Sequence, residues 1–137
     1  MTQSNDIRTG RHCFFSLHVH LVFLTKYRSR VLDDDALERL RAIFAKVCAD
    51  FEAQLLEMGG EDDHVHLQVA YPPKVAVSHL VNSLKGVSSR LLRKERPDLE
   101  PRYWQSTLWS PSYLAGSGGG ASIAIIRQYV EQQRTPH

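Results

Sequence analysis

At 137 residues and a formal net charge of +2 the chain has room for one domain, large enough to bury about 70% of the surface its unfolded form exposes. No run approaches the roughly 18 apolar residues of a membrane span, and the two cysteines, Cys13 and Cys48, sit in apolar periodic segments without CxxC spacing. A disulfide scaffold, a thiolate zinc site and a spanning helix are thereby excluded, and with no apolar leader at the N-terminus the expected setting is the reducing cytoplasm.

Residues 1–11 are expected to form a flexible N-terminus. From residue 13 to residue 24, "CFFSLHVHLVFL" places Cys13, Phe15, Leu17, Val19, Leu21 and Phe23 on one register and Ser16, His18 and His20 on the other. That is the pattern of one long strand with a single face committed to a core. "TKYRSR" follows, with Lys26, Arg28 and Arg30 around Tyr27. Asp33, Asp34 and Asp35 then offer a cap to a helix running to about Asp50, in which Leu37, Leu40, Ile43, Val47 and Phe51 recur at spacings of three and four. "EAQLLEMGG" and "HVHLQVAY" are short runs joined by the acidic "EDD", which predicts a β-hairpin.

Pro72 and Pro73 break the pattern, and Ser78 is placed to cap a second helix whose stripe is Leu80, Leu84, Val87 and Leu91, ending near Arg96 and Pro97. Its other face and the residues after it gather Lys85, Arg90, Arg93, Lys94, Arg96 and Arg102, and then Tyr103 and Trp104. "RYWQSTLWSPSYLA" reads as one or two β-segments broken by Pro111. "GSGGGAS", residues 116–122, predicts a hinge by its glycine density; it has neither the lysine of a phosphate loop nor GxGxxG spacing. Residues 122–134 then form a terminal helix. The order βαββαβ predicts an α+β fold, a ferredoxin-like antiparallel sheet with two helices on one face and the other face open for a site.

Two pairs of histidines lie on strands with one residue between them, His18 with His20 and His64 with His66. Side chains alternate along a strand, so either pair could chelate one ion, or could simply occupy the wet face of a sheet. In the terminal helix Tyr129 and Gln133 are four residues apart and share a face, while Ile125, Ile126, Tyr129 and Val130 form the expected packing side. A tyrosine hydroxyl is a weak nucleophile until a cation or base lies close to it. Taken separately, neither the histidine pairs nor the helix decides the function.

Together, "HVHLVFLTKYRSRVL", "DDHVHLQV", "VSHLVNSLKGVSSRLL", "LWSPSYLAG" and "IRQYVEQQ" resemble the small single-tyrosine HUH transposases, in which two histidines flank a hydrophobic residue and insertion sequences move as single-stranded DNA. The resemblance runs from about His12 to Gln133. It implies that His64 and His66 are metal ligands with Gln133 as the third, that Tyr129 is the nucleophile, and that His20 lies near the site without ligating. It implies Mg²⁺ or Mn²⁺ as cofactor, cleavage through a 5′-phosphotyrosine, single-stranded DNA with hairpin ends as partner, and a homodimer whose tyrosine helix completes the site of the other protomer. Lys26, Arg28, Arg30, Lys85 and Arg90 become the candidates for DNA binding. Two other readings stay open: a nuclease of the same kind that acts on repetitive hairpin DNA without moving an element, and a non-catalytic RRM-like nucleic-acid-binding module.

Overall fold

The computed structural model describes residues 8–9, 14–102, 107–117 and 123–132. Along the chain these form β1 (Arg8–Thr9), β2 (Phe14–Phe15), β3 (His18–Thr25), α1 (Asp34–Asp50), β4 (Gln54–Glu61), β5 (His64–Ala70), α2 (Val77–Glu95), β6 (Trp109–Ser117) and α3 (Ile123–Gln132). β1 and β2 pair with each other, and a four-stranded antiparallel sheet has the order β4-β5-β3-β6. That order and the two intervening helices are the expected ferredoxin-like βαββαβ arrangement.

Strand alternation sets which side chains meet the helices. Val19, Leu21 and Phe23 of β3 and Val65, Leu67 and Val69 of β5 are buried in one cluster with Leu40, Phe44 and Val47 of α1 and Leu80, Leu84 and Leu92 of α2. Phe23 sits at its centre, 6.0 Å from the Phe44 ring and 5.7 Å from that of Trp109, within the range of favourable aromatic contact. The indole N–H of Trp109 donates to the buried Ser88 hydroxyl at 2.9 Å, so a polar group from each of β6 and α2 enters the core with a partner. Asp33 caps α1 by accepting from the Ala36 amide at 2.8 Å.

Several expectations need correction. The alternating run from residue 13 is not one strand: Phe14 and Phe15 pair with Arg8 and Thr9, and β3 begins only at His18. Periodicity continued across a break in pairing that it cannot register. Ser78 does not cap α2, whose N-cap is Ala76 with no side-chain bond; Ser78 is one residue inside the helix. Pro111 does not break β6, because β6 is an edge strand and its pairing with β3 is irregular between Phe23 and Thr25, where a missing N–H is tolerated. The first residues of the expected hinge, Gly116 and Ser117, belong to β6, paired with His20 and Val19. Residues 118–122 lie outside the described residues, as do residues 1–7 and 10–13, with Cys13 among them, and Tyr103 and Trp104. Ile125 is 45% exposed and so is not on a packing side.

Arg96 belongs to the expected basic cluster, yet its guanidinium is spent within the fold, on Asp33, Asp35 and Asp98, each at 2.8 Å. This exposed network joins the end of α2 to the start of α1. Among the described residues no helix is long and apolar enough to cross a membrane.

Cys48 is fully buried, and burial pushes its thiol up to about 11. The thiol therefore stays protonated through the neutral range, and thiolate forms only as the pH climbs towards that value. In a Cys13→Ser background, labelling of the native protein by a thiol reagent at pH 8 is expected to be at least about 100-fold slower than in denaturant, rising with pH; rapid native labelling would contradict the burial.

Candidate metal and tyrosine site

β5 lies between β3 and β4, so its register places His64 and His66 in a definite setting. His64 is opposite Leu24 and Glu61, His66 is opposite Val22 and Gly59, and Gln68 is opposite His20. All these side chains are on the face of the sheet away from α1 and α2. Val22 and Leu24 are nevertheless buried, at 0% and 2% exposure, so this face carries a partly enclosed cleft and is less open than the strand pattern predicted. The cleft holds about 440 Å³ and is lined by Arg28, Arg30, Glu61, Asp62, Asp63, His64 and His66 from one side and by Arg127, Val130 and Glu131 of α3 from the other.

The hairpin turn is made by Asp62 and Asp63 alone, and it is held from outside. The Asp62 carbonyl accepts from the Leu32 amide and the Asp63 carbonyl from the Thr25 amide, both at 3.0 Å. The Asp63 side chain, 9% exposed, reaches in two directions. Its Oδ1 is 2.9 Å from His64 Nδ1, and its Oδ2 accepts from Arg28 Nε at 2.8 Å and Nη2 at 2.7 Å. Burial works to raise the Asp63 carboxyl, but the hydrogen bonds from His64 and Arg28 outweigh it and hold the group below its ordinary value. An ionised carboxylate only accepts, so His64 donates from Nδ1 to Asp63.

His66 has its own device. A Cβ on Gly59 would lie 2.6 Å from His66 Nε2 and 2.8 Å from Cε1, so the imidazole occupies the space that a side chain on the facing strand would fill. Burial lowers the affinity of His66 for a proton, the neighbouring His64 lowers it further, Glu57 opposes, His20 adds to the lowering and Glu61 opposes again. A neutral imidazole is the form that binds a cation. Among the described residues no cluster of three or more His, Cys, Asp or Glu side chains could hold a metal ion. His64 and His66 are the two imidazoles that β5 brings to the cleft, and Gln133, the expected third ligand, lies outside the described residues.

Tyr129 does not line the cleft. Its hydroxyl is 3.1 Å from the Ser112 hydroxyl of β6, while the Val130 carbonyl accepts from Arg28 Nη1 at 3.2 Å. α3 thus borders the histidine cleft but directs its tyrosine towards the neighbouring strand. His20 lies on the same face with its Nε2 buried and without a hydrogen-bond partner, and His18, opposite Ala70, is farther along β3.

The basic candidates divide. Arg30 lines the cleft with its side chain 79% exposed, 3.8 Å from Asp62. Lys26 lies beside the Tyr27 ring, 5.7 Å from its centre. Arg90 is exposed between α2 and its neighbours. Arg28, in contrast, is committed to Asp63 and Val130, and Lys85 donates to the carbonyls of Ser110 at 2.6 Å and Ser112 at 3.3 Å, with burial lowering its pKa. Their geometry gives both a structural role that charge alone did not suggest. Gly59 was expected only as the end of a strand and Asp63 only as part of the acidic turn, neither with a role at the site. Pairing the hairpin outward from a two-residue turn would have set Gly59 against His66.

The family described as IS200-like transposase matches residues 13–133 of this chain. The ISDra2 transposase TnpA of Deinococcus radiodurans is 31% identical over 128 residues, which cover 93% of this chain and 91% of that protein. The transposase for insertion sequence element IS200 of Salmonella typhimurium is 29% identical over 128 residues, covering 93% and 84%. Among solved structures, that of a candidate transposase from Deinococcus radiodurans superposes with a TM-score of 0.86 at 31% identity, covering 94% of this chain and 99% of the other. A tyrosine transposase bound to a REP hairpin shares the fold, with a TM-score of 0.57 at 13% identity and coverage of 93% and 75%.

Replacing Gly59 by alanine is expected to push the His66 ring aside while leaving the fold intact, at a cost of about 1 kcal/mol, because the methyl meets the end of a side chain and not backbone. Denaturant unfolding measures the cost and the His66 imidazole NMR signals report the displacement; unmoved ring signals would contradict the cradle.

Proposed function

The chain belongs to the IS200-like transposase family, and from that membership and the cleft we propose that it nicks and rejoins single-stranded DNA at insertion-sequence ends, with Tyr129 as nucleophile. The observation that carries the reading is the cleft itself: two imidazoles, one hydrogen-bonded to Asp63 and the other set against Gly59, share it with the helix that bears a tyrosine. In the proposed reaction the Tyr129 oxygen attacks a phosphodiester phosphorus, the bond to the 3′ oxygen breaks, and a 5′-phosphotyrosine and a free 3′-OH result. The covalent ester keeps the bond energy for rejoining, when a 3′-OH attacks the phosphotyrosine and releases the tyrosine, so no nucleotide hydrolysis is needed.

His64 and His66, with Gln133, would hold a divalent cation, and the mixed imidazole and amide donors suit Mg²⁺ or Mn²⁺. Such a cation supplies charge stabilisation to the phosphate. Arg30, exposed at the rim of the cleft, and Lys26 and Arg90 are proposed to contact DNA phosphates. A hairpin near the cleavage site is the proposed feature recognised, an extension from the neighbour whose structure holds a REP hairpin.

Tyr129 must leave Ser112 to reach the histidines. We propose that it does so in a homodimer, α3 of each protomer completing the cleft of the other. Support for exchange comes from the present position of the tyrosine, which borders the cleft of its own chain without entering it.

A single-stranded oligonucleotide carrying the element end is expected to form an adduct that survives denaturing electrophoresis. Tyr129→Phe should abolish it; an adduct that persists would remove Tyr129 as nucleophile. His64→Ala is expected to eliminate metal-dependent cleavage, whereas His18→Ala should retain metal binding, as titration with Mn²⁺ would measure. Equal loss of Mn²⁺ binding in both variants would refute the choice of pair.

A further inference from the structure

Arg28 occupies an unusual backbone. Tyr27 and Arg28 have φ of 60° and 54°, two consecutive non-glycine residues in the left-handed region, which side chains with a Cβ disfavour. Such a conformation persists where the surroundings over-determine it. Here the Lys26 amide donates to the Leu108 carbonyl at 2.8 Å, the Ser29 amide to the Lys26 carbonyl at 3.2 Å and the Thr25 hydroxyl to the Ser29 carbonyl at 2.7 Å. The result aims the Arg28 guanidinium between the hairpin turn and α3. Asp63 takes Nε and Nη2, and Nη1 is left for the Val130 carbonyl.

That carbonyl lies in the last turn of α3, where carbonyls lack partners within the helix and the helix dipole favours a cation. α3 has no basic residue in its last turn, so Arg28 supplies from another part of the chain what α3 lacks. The same guanidinium also holds the carboxylate that bonds His64, so one chain of contacts at 2.9, 2.8 and 3.2 Å runs from a histidine to the residue next to Tyr129.

We propose that Arg28 is a positioning residue: through Asp63 it holds His64 as the Nδ1–H tautomer, with Nε2 free for a cation, and through Val130 it seats the end of the tyrosine helix at the same cleft. This rests on the reading of His64 as a metal ligand. The coupling means that the ligand's orientation and the helix's seat share one guanidinium, so undocking α3 removes one of the contacts that fix Arg28. Leaving the cleft then loosens the histidine as well.

The proton-position and hydrogen-exchange measurements use the full chain without metal or DNA, so their outcome is separate from that of the nicking assay. Long-range ¹H–¹⁵N spectra of the histidines should place the His64 proton on Nδ1. In Asp63→Asn, Arg28 demands the amide oxygen, so the amide NH₂ faces Nδ1 and the ring proton should move to Nε2. Mn²⁺ affinity should then fall about 10- to 100-fold. Arg28→Gly suits the positive φ and removes only the guanidinium; hydrogen exchange at the C-terminal amides of α3 should rise roughly tenfold or more, with α1 and α2 unchanged as the check on folding. A proton that stays on Nδ1 in Asp63→Asn, unchanged Mn²⁺ affinity in that variant, or unchanged exchange of α3 in Arg28→Gly would overturn the proposal.

Discussion

The cleft depends on the register of one hairpin. β5 contributes Val65, Leu67 and Val69 to the core and His64 and His66 to the opposite face, and a slip of one residue would exchange these sets. Burying two imidazoles under helices while exposing three aliphatic side chains is so unfavourable that the apolar core itself enforces the histidine geometry. The two-residue turn at Asp62 and Asp63 completes the constraint, and it does so without a glycine. Among the described residues positive φ at non-glycine positions is confined to Tyr27, Arg28 and Glu52; Asp62 and Asp63 are not among them, and the amides of Leu32 and Thr25 bind the carbonyls of the turn.

The same segment explains why the charges around the cleft do not simply repel or attract a ligand. Arg28 and Asp63 neutralise each other at short range inside the fold, whereas Arg30 stands out in solvent. A paired, largely buried guanidinium fixes geometry, and an exposed one contributes field and phosphate contact. Two arginines separated by one residue therefore do different physical work, a distinction that follows from the left-handed backbone at Tyr27 and Arg28 and is invisible to a count of charges.

The βαββαβ order, α1, α2 and the shared face of His64 and His66 were legible in the sequence because each rests on a local period: two for the strands and three to four for the helices. Alternation failed where it crossed from β2 to β3, since periodicity registers the direction of side chains but not the partner of the backbone. Pro111 misled for the converse reason, its cost depending on whether a strand is central or at the edge. The roles of Gly59, Asp63 and Arg28 were out of reach of pattern alone. Each acts on a residue of another element, and only the pairing of β4 with β5 and the fold of the segment from Thr25 to Leu32 bring those partners together.

α3 is attached differently from the rest of the chain. Ile125 is exposed and Tyr129 and Val130 are only half-buried, so the described side chains give this helix little of the apolar burial that holds α1 and α2. Its polar contacts include a hydroxyl pair at Ser112 and one donor from Arg28. An exposed neutral hydrogen bond of this kind contributes about 1 kcal/mol, and an arginine bond to a helix end only modestly more. Elements with little buried apolar surface occupy the low end of a protein's local stability. α3 is thereby seated more lightly than β5, whose Val65, Leu67 and Val69 anchor the histidine strand in the core.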